Sequence, residues 1–275
     1  MISELERGSR HQPRRDTAQL LADGLRLTGP DRDSFLALAR GRAPAAAGAS
    51  IAGDRPPQSA LPVAPAPIIG RLKEIAAATA LLLRTDVRLL RLTGPGGVGK
   101  TRLTLEVAAR TEVAFTDGAV FVDLAPVDDP AIIRQSIGEA LGRRFDQDQV
   151  RQVELDEWLR DRPLLLVLDN FEHLIAGATV VADLLAACPG MTVLATSREV
   201  LRIRAERHYD VAPLALPDLE SMVATDELTG VPAVQLFVDR AESANRTFAL
   251  TAENARSVAE IVVRLGGLPL GRGSG

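Results

Sequence analysis

The sequence predicts an α/β fold in which a parallel sheet is covered by helices on both faces. Three observations carry that expectation. Short apolar runs alternate with helical stretches at roughly 30-residue spacing, which is the mark of βαβ units. An octapeptide, Gly94-Pro95-Gly96-Gly97-Val98-Gly99-Lys100-Thr101, fills every position of the pattern G-x-x-x-x-G-K-[ST], between an apolar run (87–93) and a helix-like run (101–110). Further on, the apolar run 164–168 ends in Asp169, as expected of a central strand buried on both faces with an acid at its carboxyl edge.

Taken in order, the elements of this core fill residues 67–217. It opens at Ile68-Ile69-Gly70-Arg71-Leu72-Lys73-Glu74, followed by an Ala- and Leu-rich helix to about residue 84. The 87–93 strand, the phosphate loop and the 101–110 helix come next, then a strand over 119–124. Asp129 caps a helix begun by Pro130 and running to Leu141, with Ile132, Ile133, Ile137 and Leu141 on one face. A short helix over 153–160 holds Trp158. The strand ending in Asp169 leads to a helix over 173–187, then to a strand over 191–195 that ends in Thr196-Ser197-Arg198. Residues 209–216 approach Pro217, an acidic connector runs through Glu227, and two helices cover 233–244 and 252–265.

The flanks read differently. Residues 2–8 read as a helix end stopped by glycine, and 16–25 and 31–40 as amphipathic helices; residues 41–66 shift to Ala, Pro, Gly and Ser, the composition of a disordered linker.

Composition narrows the classes. The chain has 275 residues, a net charge of −4 and apolar content typical of globular proteins, so a real core is expected and a chain-wide nucleic-acid surface is not. Cys188 is the one cysteine, which rules out an intramolecular disulfide and suits a reducing cytoplasm. No apolar run is long enough for a membrane span, and Glu4 and Glu6 close behind Met1 do not suit a signal peptide. Lys73 and Lys100 are the only lysines, so a lysine inside the glycine-rich loop reads as chemically required rather than as compositional drift.

The chemistry of the loop is anion binding. Its glycines let the backbone curl with N–H groups inward, at a helix N-terminus where the dipole also favours an anion. Lys100 would reach β- and γ-phosphates, and Thr101 would place its hydroxyl on a magnesium ion. Asp169 is the candidate second magnesium ligand. The next position holds Asn170, a neutral amide that cannot act as a base, so Glu172 is the remaining candidate if the turn directs it at the γ-phosphate; slow turnover is the expectation. The polar pair Thr196-Ser197 with Arg198, at a strand end opposite the loop, can sense that phosphate with a hydroxyl and a guanidinium. His173 reads as a packing or capping residue, Trp158, Tyr209 and Phe237 as core or interface, Cys188 as a buried small hydrophobe, and Asp123, Asp128 and Asp129 as a solvated loop.

The ordered set Ile69-Gly70-Arg71, GPGGVGKTR (94–102), LLLVLDNFEHL (164–174), VLATSRE (193–199) and GGLPL (266–270) resembles the STAND group of signal-transduction ATPases, NB-ARC-like nucleotide switches of bacterial transcriptional regulators and of immune and death receptors. The resemblance covers about residues 68–270. It implies a three-layer P-loop NTPase core followed by a small helical lid domain, here 218–275, with ADP holding a closed state and ATP an open one. By position it implies that Gly70 and Arg71 lie near the adenine and ribose, Gly94, Pro95, Gly96, Gly97, Val98, Gly99, Lys100 and Thr101, with Arg102 beside them, on the phosphates, Asp169 on magnesium, Arg198 as sensor and Pro269 against the base. D-N-x-E-H at 169–173 is similar to the bacterial regulators. Residues 1–40 resemble the back half of a lambda-repressor-like helix-turn-helix whose front is missing, and the family's helices, winged-helix element and repeat sensor beyond G-L-P do not follow. The expectation is therefore a truncated chain that binds ATP or ADP and hydrolyses ATP slowly at most; the alternatives are a DNA-binding regulator acting through the N-terminal helices, disfavoured because the front of that motif is missing, and a non-functional truncated fragment. Self-association and regulatory domains are the family's other partners. A phosphate-loop kinase or rapid hydrolase is the competing enzyme class, disfavoured by Asn170.

Overall fold

The computed structural model describes residues 60–63, 66–142, 150–204, 206–220 and 225–269. All belong to the compact unit Arg55–Gly275. The helices expected over 1–40, the linker up to residue 59 and the tail from 270 lie outside the described residues.

Five parallel strands form one sheet in the order β2-β3-β4-β1-β5. They are β1 (Leu89–Thr93), β2 (Ala119–Asp123), β3 (Leu165–Asp169), β4 (Thr192–Thr196) and β5 (Glu206–Asp210). The fold is the α/β P-loop NTPase type that the sequence predicts. Side chains alternate across the sheet as strand geometry requires. Leu166 and Leu168 face one core with Val120, Val193, Ile133, Ile137 and Leu184, whereas Leu165 and Val167 face another with Leu90, Leu92, Leu194, Ile75, Leu103 and Val107. Both faces of β3 and β4 are buried throughout, which is why their sequences read as near-continuous apolar runs.

The second core is covered by α1 (Leu72–Leu82) and α2 (Lys100–Thr111), the first by α3 (Ile133–Ala140), α4 (Val150–Leu159) and α5 (Ala178–Ala187). A third cluster gathers α6 (Thr225–Thr229), α7 (Pro232–Ala244) and α8 (Ala255–Arg264). On α8 the buried residues are Ala255, Val258, Ala259 and Val262, whose spacing of three, four and seven makes one helical face. Proline at the first position of α7 suits a helix start.

The structure departs from the sequence reading at four places. Asp129 does cap through its side chain, accepting from the Ala131 amide, but the first turn is a 3-10 segment, Pro130–Ile132, which leaves Ile132 exposed rather than on the apolar face. The helix expected over 173–187 begins only at Ala178, after 3-10 turns at Phe171–His173 and Ile175–Gly177. A Cβ on Gly177 would lie 2.2 Å from Ile133 Cδ1, so close packing onto α3 holds this segment. The strand Glu206–Asp210 carries no apolar alternation; among the described residues it is an edge strand, paired only with β1, and needs little apolar surface. Finally Ala60, assigned to the linker by composition, bridges Val120 at the opposite edge, its amide donating to the Ala119 carbonyl at 3.0 Å.

Candidate functional site

The strand order sets the site. Because β4 lies between β1 and β3, the carboxyl ends of β1, β4 and β3 stand side by side, carrying respectively the glycine-rich loop, Thr196-Ser197-Arg198 and Asp169-Asn170. Open parallel sheets place ligands at this edge.

The loop leaves β1 at Gly94, whose φ of 147° and Cβ position 2.6 Å from the Val211 carbonyl oxygen admit glycine alone. Gly97 and Gly99 also have positive φ, and Gly99 passes the chain into α2 from a left-handed conformation. Val98 is fully buried and anchors the loop to the core. The Lys100 ammonium donates to the carbonyls of Gly94 at 3.0 Å and Pro95 at 3.2 Å, folding its side chain over the loop. Burial pulls its pKa below the ordinary lysine value; Glu172 opposes that shift and Arg198 adds to it.

Below the loop, Thr101 Oγ1 donates to Asp169 Oδ2 at 2.8 Å, and Thr196 Oγ1 donates to Asp169 Oδ1 at 2.5 Å. Asp169 is 2% exposed, and burial raises its pKa above the usual carboxylate value while the two threonine hydroxyls pull it down. The Asn170 amide nitrogen donates to Thr196 Oγ1, so one hydroxyl joins β3 to β4. Asn170 adopts a left-handed conformation, φ 62°, and its side-chain amide donates to Asp169 Oδ2 at 3.1 Å and Asp123 Oδ1 at 3.3 Å. Asp123 therefore does more than solvate a loop, since β2–β3 register sets it opposite Asp169.

After the Asn170 turn, Phe171 is fully buried and pins the 3-10 segment, which brings Glu172 to the loop. Glu172 Oε1 pairs with Arg198 Nε at 3.3 Å. His173 points elsewhere, its Nε2 at 2.7 Å from the Val127 carbonyl, as the packing reading expected. Arg198 lies against the loop, because a Cβ on Gly96 would fall 2.8 Å from its Nη2.

These groups line a cleft of about 490 Å³, a size suited to a small-molecule ligand. Gly96 through Arg102, with Asn170, Glu172 and Arg198, form its polar side; Ile68, Ile69, Leu214, Leu236 and Pro269 form its apolar side. Arg71 also lines it, 4% exposed, held by Glu74 at 2.8 Å and by the Val98 carbonyl at 3.2 Å. Gly70, predicted beside it, instead abuts Pro232 of α7, where a Cβ would lie 2.4 Å from that ring's Cβ. Gly94, Pro95 and Asp169 do not line the cleft. Pro269 reaches the cleft because Gly267, φ 68°, packs its backbone onto Leu214, whose amide donates to the Gly267 carbonyl at 2.9 Å.

Sequence reasoning missed Leu214, Leu236 and Arg240 on the cleft wall, which carry no local motif. It also missed Arg91, a charge within the apolar strand β1. Arg91 is 4% exposed, its Nε pairs with buried Glu206 on β5 and its Nη1 donates to the Ser197 carbonyl at 3.3 Å, so it braces the segment that carries Arg198. An arginine inside an otherwise apolar run was the available signal.

Fold and site together are those of an α/β P-loop NTPase domain, and residues 84–205 match the family described as AAA domain. Among curated proteins, the chain is 41% identical over 184 residues to the Mycobacterium tuberculosis protein named "Putative HTH-type transcriptional regulator Rv0890c", covering 66% of this chain and 19% of that one. It is 34% identical over 145 residues to the regulatory protein AfsR of Streptomyces coelicolor, covering 50% and 14% respectively. The chain thus spans no more than about a fifth of the length of these two relatives. Among solved structures, a Pyrococcus horikoshii protein described as a Signal Transduction ATPase with Numerous Domains with a tetratricopeptide repeat sensor aligns at TM-score 0.43 and 13% identity, over 81% of this chain and 31% of that one. Among the described residues no helix is long and apolar enough to cross a membrane.

Proposed function

We propose that this domain is an ATP/ADP-binding switch with slow magnesium-dependent ATP hydrolysis, belonging to a STAND-type transcriptional regulator. The observation that carries the reading is the joint between Thr101 and Asp169 at 2.8 Å, beneath a loop whose backbone geometry requires glycine. A hydroxyl and a buried carboxylate held together at the phosphate loop suit a divalent cation, and the raised pKa of Asp169 marks a carboxylate whose burial calls for positive charge. Thr101 and Asp169 would hold magnesium, which when bound neutralises charge on the phosphates.

The other residues divide the work. Amides of residues 96–101 and the Lys100 ammonium bind phosphate oxygens; Lys100 exchanges the Gly94 and Pro95 carbonyls for them. Arg198 reads the terminal phosphate. Glu172 is the group able to accept a proton from water, since Asn170 spends its amide on Asp123 and Asp169. Arg71 and Pro269, with Ile68, Ile69, Leu214 and Leu236, form the side that receives ribose and adenine. The names of the relatives support a regulatory setting, in which self-association and further domains would read the nucleotide state.

Calorimetric titration with ADP and ATP, with and without magnesium, tests this reading beside Lys100→Ala. Micromolar or tighter binding by wild type alone is expected; equal affinity in the variant sinks it. Rapid steady-state turnover would place the domain among committed hydrolases instead.

A further inference from the structure

Glu172 and Arg198 are each assigned a task at the terminal phosphate, yet the structure has them engaged with one another, Oε1 to Nε at 3.3 Å. Among the described residues neither makes another side-chain hydrogen bond or ion pair, although both act on the charge of Lys100. Glu172 Oε2 is buried and has no hydrogen-bond partner among the described residues, an unusual state for a carboxylate oxygen. Arg198 keeps 59% of its side chain exposed and turns Nη2 toward Gly96 of the loop. The two are set up from different strands: Glu172 by the left-handed Asn170 and buried Phe171 after β3, Arg198 by the Arg91–Ser197 brace after β4.

We propose that the Arg198–Glu172 ion pair is a latch opened by the terminal phosphate of a nucleoside triphosphate, which draws Arg198 away and frees Glu172 to act as the base. The inference rests on the nucleotide reading above and adds its regulation. A guanidinium can present its fork to a phosphate or share it with a carboxylate, and a phosphate carries more charge than a carboxylate. With a diphosphate the loop and Lys100 are satisfied while the ion pair stays closed. With a triphosphate the pair must open, so part of the affinity for the third phosphate is spent against it. Released Glu172 takes the proton of the attacking water, whose oxygen bonds to the terminal phosphorus while the bridging oxygen departs with its electron pair. The base is thereby uncovered only when there is a phosphate to transfer.

Removing a negative charge near a phosphate could strengthen binding by relief of repulsion alone, so the test is a double-mutant cycle. Dissociation constants for ADP and for β,γ-imido-ATP, with magnesium, are measured by calorimetry on wild type, Glu172→Gln, Arg198→Ala and the double variant, each checked for folding by circular dichroism. A partly exposed ion pair sets the scale. Glu172→Gln is expected to tighten imido-ATP about threefold to fivefold in the wild-type background and to leave ADP unchanged. In the Arg198→Ala background the same substitution is expected to change imido-ATP affinity by no more than the error. An equal gain in both backgrounds, or no gain in the first, overturns the latch while the nucleotide reading stands. A folded wild type that binds neither nucleotide overturns both.

Discussion

The hydroxyl of Thr101, in the first turn of α2, donates to Oδ2 of Asp169 at the end of β3 across 2.8 Å, and so joins two motifs 68 residues apart. Thr196 meets the other oxygen of the same carboxylate from the intervening strand. The groups proposed to hold the cation are thus arranged by sheet order rather than by a loop, which keeps them rigid.

Thr101→Val retains shape and removes that hydroxyl. The fold is expected to persist, because Thr196 and Asn170 still serve Asp169. The magnesium-dependent part of nucleotide affinity should fall by about tenfold, the scale of one hydrogen bond to a charged group. Titration with ADP in magnesium and in EDTA separates the two parts; a loss of the same size in EDTA would count against a cation role.

Arg91 and Glu206 form an ion pair with side chains 5% and 7% exposed. Breaking such a pair from one side strands a buried charge, at a cost of about 3–5 kcal/mol. Arg91→Met is therefore expected to lower the urea midpoint sharply, while Arg91→Met combined with Glu206→Leu recovers most of the loss. Equal destabilisation by the single and double variants would show that the hydrogen bond to Ser197, not the pairing, is what matters.

Gly94→Ala puts a methyl group 2.6 Å from the Val211 carbonyl oxygen at a φ of 147°. Strain of this kind costs about 1–3 kcal/mol, and the loop would shift to relieve it, weakening ADP binding as well. Gly230→Ala is the control: its Cβ would meet nothing nearer than the Glu227 carbonyl oxygen at 3.4 Å, and a change within about 0.5 kcal/mol is expected. Thermal denaturation of the two variants makes the comparison.

The parts legible in the sequence are those whose chemistry is local. The glycine-rich loop needs its residues consecutive, and Asp169 follows a run whose apolarity is forced by burial on both faces, so both motifs can be recognised from consecutive residues alone. What escaped is what depends on neighbours distant in the chain. The strand Glu206–Asp210 exists because β1 offers it a partner, not because of its own pattern. Arg91 looks like a flaw in an apolar strand until Glu206 stands beside it. Asp123 reads as solvated because its link to Asn170 spans 47 residues. Gly70, assigned to the nucleotide by resemblance, also has a backbone need that the sequence did not show, the close approach of Pro232.

Cys188 provides a probe of the core that is independent of nucleotide. It is fully buried, its thiol donates to the Asp156 carbonyl at 3.6 Å, and burial pushes its pKa up to about 11 from an ordinary 9.0. Thiolate is the reactive form, so in the native state at pH 8 a disulfide reagent should label the protein far more slowly than it labels the chain in denaturant. The sign of the pH effect follows from the direction of the shift. A group whose pKa is raised on folding favours the native state below its unfolded value, and that contribution is lost as pH climbs from about 9 toward 11. The urea midpoint of wild type is therefore expected to fall over that window by more than that of Cys188→Ala, with both measured under reducing conditions. A parallel fall in the two proteins would assign the alkaline loss to other groups.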